Sequence, residues 1–207
     1  MARKPLPPDE AGQIGVSRRL FLKTAGAGAA ISGLEPAGAD AAPSVLGPGP
    51  VPLALRVNGA PRTVTVEPCT TLLSALRDHL GLTGAKQICD RGSCGGCTVL
   101  LDGERVLGCM MLAADAVGHD VTTIEGMGTP DKMNPLQKAF VEADALQCGF
   151  CTPGFIVSGT ALLRKNPDPT LAEIKHGLEG NLCRCGTYSR IFEAVQKAAT
   201  EMKSGRG

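Results

Sequence analysis

The sequence predicts an α+β fold in two consecutive parts, a strand-rich domain over 53–126 and a helical domain over 130–203. Three observations carry this. From Leu53 apolar and polar residues alternate with period two, whereas beyond Gly126 the apolar residues recur with a period near 3.6. The nine cysteines, at positions 69, 89, 94, 97, 109, 148, 151, 183 and 185, stand in tight groups between the expected elements. An odd number so grouped fits metal ligation better than a disulfide framework.

The first residues read as an address. Ser17-Arg18-Arg19-Leu20-Phe21-Leu22-Lys23 precedes a mild Gly/Ala-rich apolar run from Thr24 to Leu34. A paired arginine before such a run is the twin-arginine export pattern. The run is shorter than the ~20 residues a bilayer span requires, so no membrane span is expected. Small residues around Ala37, Ala39 and Ala41 suit signal-peptidase cleavage. The expectation is a disordered signal segment over 1–42, a Pro/Gly linker over 43–52 and a periplasmic protein. Export in the folded state would let metal commit the cysteines before they meet an oxidising compartment.

In the first domain, Leu53, Leu55 and Val57 alternate into a turn at Asn58-Gly59, and Val64 and Val66 lead back. Thr70 or Thr71 caps a helix carrying Leu72, Leu73, Leu76 and Leu80 on one face, ended by Gly81. A second hairpin runs from Thr98 to Leu101 and from Arg105 to Leu107 about Asp102-Gly103, and Asp120 to Ile124 adds a last strand. Between helix and hairpin lies Cys89-Asp-Arg-Gly-Ser-Cys94-Gly-Gly-Cys97, with Cys109 at the end of the next strand. C-x4-C-x2-C followed by a distant cysteine is the plant-type [2Fe–2S] ligand spacing. Gly92, Gly95 and Gly96 would permit the positive φ of a tight loop whose amides face a negative cluster. Structural zinc prefers paired knuckles instead.

In the second domain, Asn134-Pro135 opens a helix with Leu136, Ala139, Phe140, Ala143 and Leu146 on one stripe. A second helix runs from Pro153 to Asn166-Pro167, and Thr170-Leu-Ala-Glu173 is a capping box for a third that ends at Gly180. Ser189 is expected to cap a fourth bearing Phe192, Val195 and Ala199. Cys148-Gly-Phe-Cys151 and Cys183-Arg-Cys185 occupy two helix junctions. They form one site only if those junctions meet, and on spacing alone zinc remains a rival there.

With these residues in view, the chain resembles the iron–sulfur small subunits of the molybdenum hydroxylase (xanthine oxidase-like) family. The resemblance rests on Cys89-Asp-Arg-Gly-Ser-Cys94-Gly-Gly-Cys97, on Gln147-Cys148-Gly-Phe-Cys151-Thr-Pro153-Gly154, and on Gly180-Asn-Leu-Cys183-Arg-Cys185-Gly. It implies a plant-ferredoxin-like β-grasp domain followed by a four-helix bundle, each with one [2Fe–2S] cluster. Cys89, Cys94, Cys97 and Cys109 would hold the outer cluster, and Cys148, Cys151, Cys183 and Cys185 the one nearer the molybdenum. Gln147, on spacing alone an ordinary polar helix-end residue, would contact the pterin of the molybdenum cofactor in a large partner subunit. Many members read Cys-Arg-Cys-Thr-Gly-Tyr, whereas this chain has Cys185-Gly186-Thr187-Tyr188. That order resembles isoquinoline 1-oxidoreductase and periplasmic aldehyde oxidoreductase small subunits.

The chain would then carry electrons during oxidation of an aldehyde or N-heterocycle, with no bond-making chemistry of its own. Its onward acceptor would be a flavin subunit or a c-type cytochrome. Two other readings stay open, a free-standing ferredoxin-like carrier and a zinc-stabilised binding module. Nucleic-acid binding is set aside, because 21 basic residues face 20 acidic ones and the aromatics are five Phe, one Tyr and no Trp. His79, His119 and His176 are isolated in sequence and read as surface or structural residues, and Cys69 as a small packed residue.

Overall fold

Both hairpin turns close in left-handed backbone, with φ of 52° and 77° at Asn58 and Gly59 and of 50° and 86° at Asp102 and Gly103. Only turns of this hand match the twist of the strands they join, and Asn-Gly and Asp-Gly accept the strain most cheaply. The computed structural model describes residues 46–204. The export signal expected over 1–42 and the first residues of the linker lie outside them.

Strand β1 (Val51–Val57) pairs antiparallel with β2 (Ala60–Val66) in the register Val51 to Val66 and Val57 to Ala60. The sheet begins two residues before Leu53, so the end of the expected linker is already strand. Leu53, Leu55, Val57, Val64 and Val66 are buried, and Arg56, Thr63 and Thr65 between them are exposed. Strands β3 (Thr98–Leu101) and β4 (Glu104–Leu107) form the second hairpin, and β5 (Asp120–Thr122) lies between β1 and β3. It runs parallel to β1 and antiparallel to β3, giving the order β2-β1-β5-β3-β4.

Helix α1 crosses one face of this sheet. It begins as an α-helical turn, Leu72–Ser74, capped by the Thr71 hydroxyl, and widens into a π-helical stretch, Ala75–His79. Ala75 and Leu76 lie in the core together with Leu72 and Leu73, all 1% exposed or less. The amides of Leu72 and Leu73 donate to the carbonyls of Met111 and Gly108, which ties α1 to the chain around Cys109.

Four helices make the second domain. Helix α2 (Pro135–Glu142) starts in a capping box between Asn134 and Gln137. It is shorter than its apolar stripe suggested: Asp144 adopts a φ of 48°, and Leu146 lies beyond the helix as an exposed loop residue. Helix α3 (Thr152–Lys165) and helix α4 (Leu171–Leu178), with its box of Thr170 and Glu173, match their signals. Helix α5 (Tyr188–Ser204) starts one residue before the expected Ser189 cap, because the Ile191 amide already donates to the Thr187 carbonyl. Phe140, Phe155, Leu163, Ile174, Ile191 and Val195 fill the shared core. Burial of each such side chain stabilises by roughly 1.5–3 kcal/mol.

The two domains meet along α3, where Val157 and Ala161 pack on Leu100 of β3 in a small buried cluster. The connection between them is also pinned. Glu125 accepts from the Gly84 amide at 2.7 Å and from the Thr123 hydroxyl at 2.5 Å, while Asn58 pairs twice with Thr123. Among the described residues no helix is long and apolar enough to cross a membrane.

Candidate metal centres

The loop before β3 turns on Asp90, Gly92 and Gly95, with φ of 53°, 74° and 70°. Gly96, expected to need a positive φ as well, does not adopt one. It is needed for space, since a Cβ there would lie 2.3 Å from Cδ1 of Ile88. The loop carries Cys94 and Cys97 into the interior and leaves Cys89 half-buried at the rim. Cys109, just past β4, brings its Sγ to 3.4 Å from that of Cys97.

The surroundings divide the thiols of this group by pKa. Cys89 is lowered to about 7, chiefly by the Arg91 amide against a counteracting burial, with help from the Cys94 side chain and the Ser93 and Cys94 amides. Cys97 is pushed up to about 12 by burial, with the Cys109 and Cys94 thiols adding to the rise and the Cys109 amide easing it. Cys94 thus faces both Cys89 and Cys97, and all four thiols of the first motif converge.

The second group forms where two helix junctions meet at one end of the helical domain. Cys148 is exposed, Cys151 and Cys185 are half-buried, and Cys183 is buried. The Sγ atoms of Cys148 and Cys185 lie 3.5 Å apart, and the Cys151 and Cys183 side chains touch. Cys151 is the N-cap residue of α3, so the positive end of that helix faces the thiols. Burial pushes Cys151 up to about 12, reinforced by Cys183 and Cys148. Burial also raises Cys183, but it is outweighed by the Thr187 hydroxyl and amide, by Cys151 and by the Cys185 amide, which bring it to about 7.

In each group the thiols approach as two pairs: Cys89 with Cys94 and Cys97 with Cys109, then Cys148 with Cys185 and Cys151 with Cys183. A [2Fe–2S] cluster would take its four thiolates in two pairs, which this arrangement suits. One structural zinc would draw four donors about a single point. Backbone N–H groups aimed at Cys89 and Cys183 suit a negatively charged cluster.

The two groups are neighbours. A cavity of about 430 Å³ lies between them, walled by Ile88, Cys94, Cys151, Leu182, Cys183 and Tyr188. The Leu182 amide donates to the Cys94 carbonyl at 2.9 Å, and buried Asn181 donates through Nδ2 to the Gly95 carbonyl at 3.0 Å. Gln147 is exposed beside Cys148, on an edge where Leu146, Phe150 and Leu182 are exposed too. Sequence reasoning missed Asn181, Gly154 and the Thr187 hydroxyl, whose partners lie across turns or in the other domain.

The remaining candidates stand apart. Cys69 is exposed after β2, so the expectation that it packs does not hold; the chain turns there at Pro68 before α1 begins. His119 pairs with Asp102 at 2.5 Å, His176 lies 3.2 Å from Glu179, and His79 is exposed.

Residues 55–119 match the family model of the 2Fe-2S iron-sulfur cluster binding domain, and residues 123–196 that of the [2Fe-2S] binding domain. The aldehyde oxidoreductase iron-sulfur-binding subunit of Escherichia coli O157:H7 is 40% identical over 94% of this chain and 93% of its own length. The chain belongs to the iron–sulfur small-subunit family of the molybdenum hydroxylases. The family also contains isoquinoline 1-oxidoreductase subunit alpha of Brevundimonas diminuta, 44% identical over 70% of this chain and 95% of that one. In three dimensions the chain is similar to a chain of quinoline 2-oxidoreductase from Pseudomonas putida 86, with a TM-score of 0.73 and 40% identity. That likeness covers 77% of this chain and 99% of the other, and supports the α+β ferredoxin-like reading of the first part and the helical reading of the second.

Proposed function

We propose that this chain is the electron-transfer subunit of a periplasmic molybdenum-containing hydroxylase acting on an aldehyde or N-heterocycle. Cys89, Cys94, Cys97 and Cys109 hold one [2Fe–2S] cluster, and Cys148, Cys151, Cys183 and Cys185 hold a second. Bound there, the clusters supply one-electron carriage between the molybdenum centre of a large partner and an acceptor, a flavin subunit or a c-type cytochrome. The observation that carries this reading is the convergence of eight thiols into two paired groups whose ligand loops share the bond from Leu182 to Cys94.

The chain's own residues bind, space and shield. Arg91, Ser93 and Cys185 aim amides at ligand sulfur, and Asn181 holds the two loops together. Gln147 beside Cys148 contacts the partner's pterin. The exposed apolar side chains of Leu146, Phe150 and Leu182 around the second group favour a docked partner over a free carrier. The periplasmic location rests on Arg18 and Arg19.

The test is metal analysis of the tagged chain with everything that co-purifies from the periplasmic fraction. About four irons per copy, with molybdenum in a larger companion, is the expected result. Iron without any molybdenum companion would favour a free carrier, zinc in place of iron would remove both readings, and recovery only from the cytoplasm would refute the location.

A further inference from the structure

Among the described residues a single hydroxyl is hydrogen-bonded to a cysteine sulfur. Thr187 Oγ1 lies 3.2 Å from Sγ of Cys183, and both side chains are buried, at 6% and 7% exposure. The first group has no hydroxyl counterpart: Cys89 Sγ meets the Cys94 side chain and backbone amides, including that of Ser93 at 3.3 Å.

The placement is built by the local chain. Gly186 at a φ of 79° turns the backbone after Cys185, and its amide donates to the Cys183 carbonyl. Thr187 then opens α5 by accepting from the Ile191 amide, which anchors its backbone, and its branched Cβ limits the hydroxyl to few orientations. On the other side the Cys183 amide donates to the Tyr188 hydroxyl at 2.9 Å, so residue 183 is held at both its amide and its sulfur.

A thiolate bound to iron has no proton to give, so in the loaded protein the Thr187 hydroxyl is the donor. Such a bond strengthens as negative charge on the sulfur grows, and therefore favours the reduced state. We propose that Thr187 is a positioning and tuning residue that raises the reduction potential of the second cluster, resting on the two-cluster assignment above. One electron enters that cluster from the partner's molybdenum centre, or from dithionite in the test, and the hydroxyl proton stays on Thr187.

The experiment is an EPR-monitored redox titration of the co-purified complex carrying Thr187→Val, which keeps the shape and removes the donor. The signal of the second cluster is assigned as the one lost in Cys148→Ser. At a fixed ambient potential its ratio of reduced to oxidised cluster should fall about tenfold, the worth of roughly one hydrogen bond to a charged group. For a one-electron couple that is about 59 mV. The first cluster should not move, and Thr187→Ser should restore the wild-type value. Four irons with no shift in T187V, or an equal shift of both clusters, overturns the proposal and leaves the electron-transfer reading intact. Absence of iron from the wild-type protein defeats that reading instead. Where T187V does not retain the second cluster, pulsed EPR of wild-type protein in deuterated buffer serves. One strongly coupled exchangeable deuteron beyond those of the backbone amides, lost in T187A, is expected; identical deuteron spectra in the wild type and T187A refute the bond.

Discussion

The Leu182 amide donates to the Cys94 carbonyl at 2.9 Å, and each residue is either a member or the immediate neighbour of a cysteine group in a different domain. One hydrogen bond therefore completes a short, mostly covalent route between the two cysteine groups. Asn181 and Gly154 keep it closed. A Cβ at Gly154 would lie 2.4 Å from the Gly95 carbonyl oxygen and 3.2 Å from Asn181 Nδ2.

Prising that seam open should weaken communication between the clusters while leaving both loaded. Gly154→Ala is expected to destabilise by about 1–3 kcal/mol, as overpacking does. Asn181→Asp, isosteric but unable to donate to the Gly95 carbonyl, should act in the same direction. The readout is the magnetic interaction between the two clusters in the EPR spectrum of fully reduced protein. An unchanged interaction in both variants would show that the seam does not set their spacing.

Removal of one ligand should empty one centre. Cys109→Ser is expected to lower iron from about four to about two per chain, with the second cluster's spectrum retained. Iron content unchanged from wild type would take Cys109 out of the ligand set.

The thiols of iron-free protein should divide by reactivity. With values of about 7 for Cys89 and Cys183 and about 12 for Cys97 and Cys151, half-exposed Cys89 is expected to be alkylated first near neutrality. Cys97 and Cys151 should resist until the chain unfolds. The lowered pair contributes stability that is present above the unfolded value of 9.0 and lost as pH falls through about 7. The raised pair contributes stability that is present below 9.0 and lost as pH rises through about 12. Urea midpoints of reduced, iron-free protein should therefore peak between those limits; a thiol contribution flat from pH 6 to 11 would contradict the assignment.

Crowding at the interdomain connection gives a stability test away from the metal. A Cβ at Gly84 would lie 2.2 Å from Cγ2 of Ile124 and 2.7 Å from Oε1 of Glu125. Gly84→Ala should displace Glu125 from the Gly84 amide and lower stability by about 1–3 kcal/mol. A thermal midpoint equal to that of wild type would mean that the loop yields without cost.

The features legible in sequence are those in which a few neighbouring residues settle the geometry. Asn58-Gly59 and Asp102-Gly103 dictate their turns because few residues tolerate a positive φ. The pairs Asn134 with Gln137 and Thr170 with Glu173 mark helix starts because each satisfies the other's backbone. The cysteine spacings were equally open to reading. What escaped depends on distant partners or on competition within a turn. No local signal tells that β5 slips between β1 and β3, that Asp144 stops α2 before Leu146, or that the Gly96 constraint is the Ile88 side chain rather than its own φ. The start of α5 moved from Ser189 for the same reason: Thr187 and Tyr188 are engaged with Cys183, which only the folded turn reveals.

Leu100, Val157 and Ala161 have a bearing on how such a protein can be divided. Leu100 belongs to the sheet, Val157 and Ala161 to α3, and none of them meets solvent. A gene cut between the two halves would leave an apolar scar on each product, and on the sheet half a Gly95 carbonyl without its Asn181 partner. Chimaeras that exchange one half with that of a relative inherit the same seam from two ancestors. Their success then turns on whether the residues at 95, 100, 154, 157, 161 and 181 come from one parent, more than on where the junction is placed.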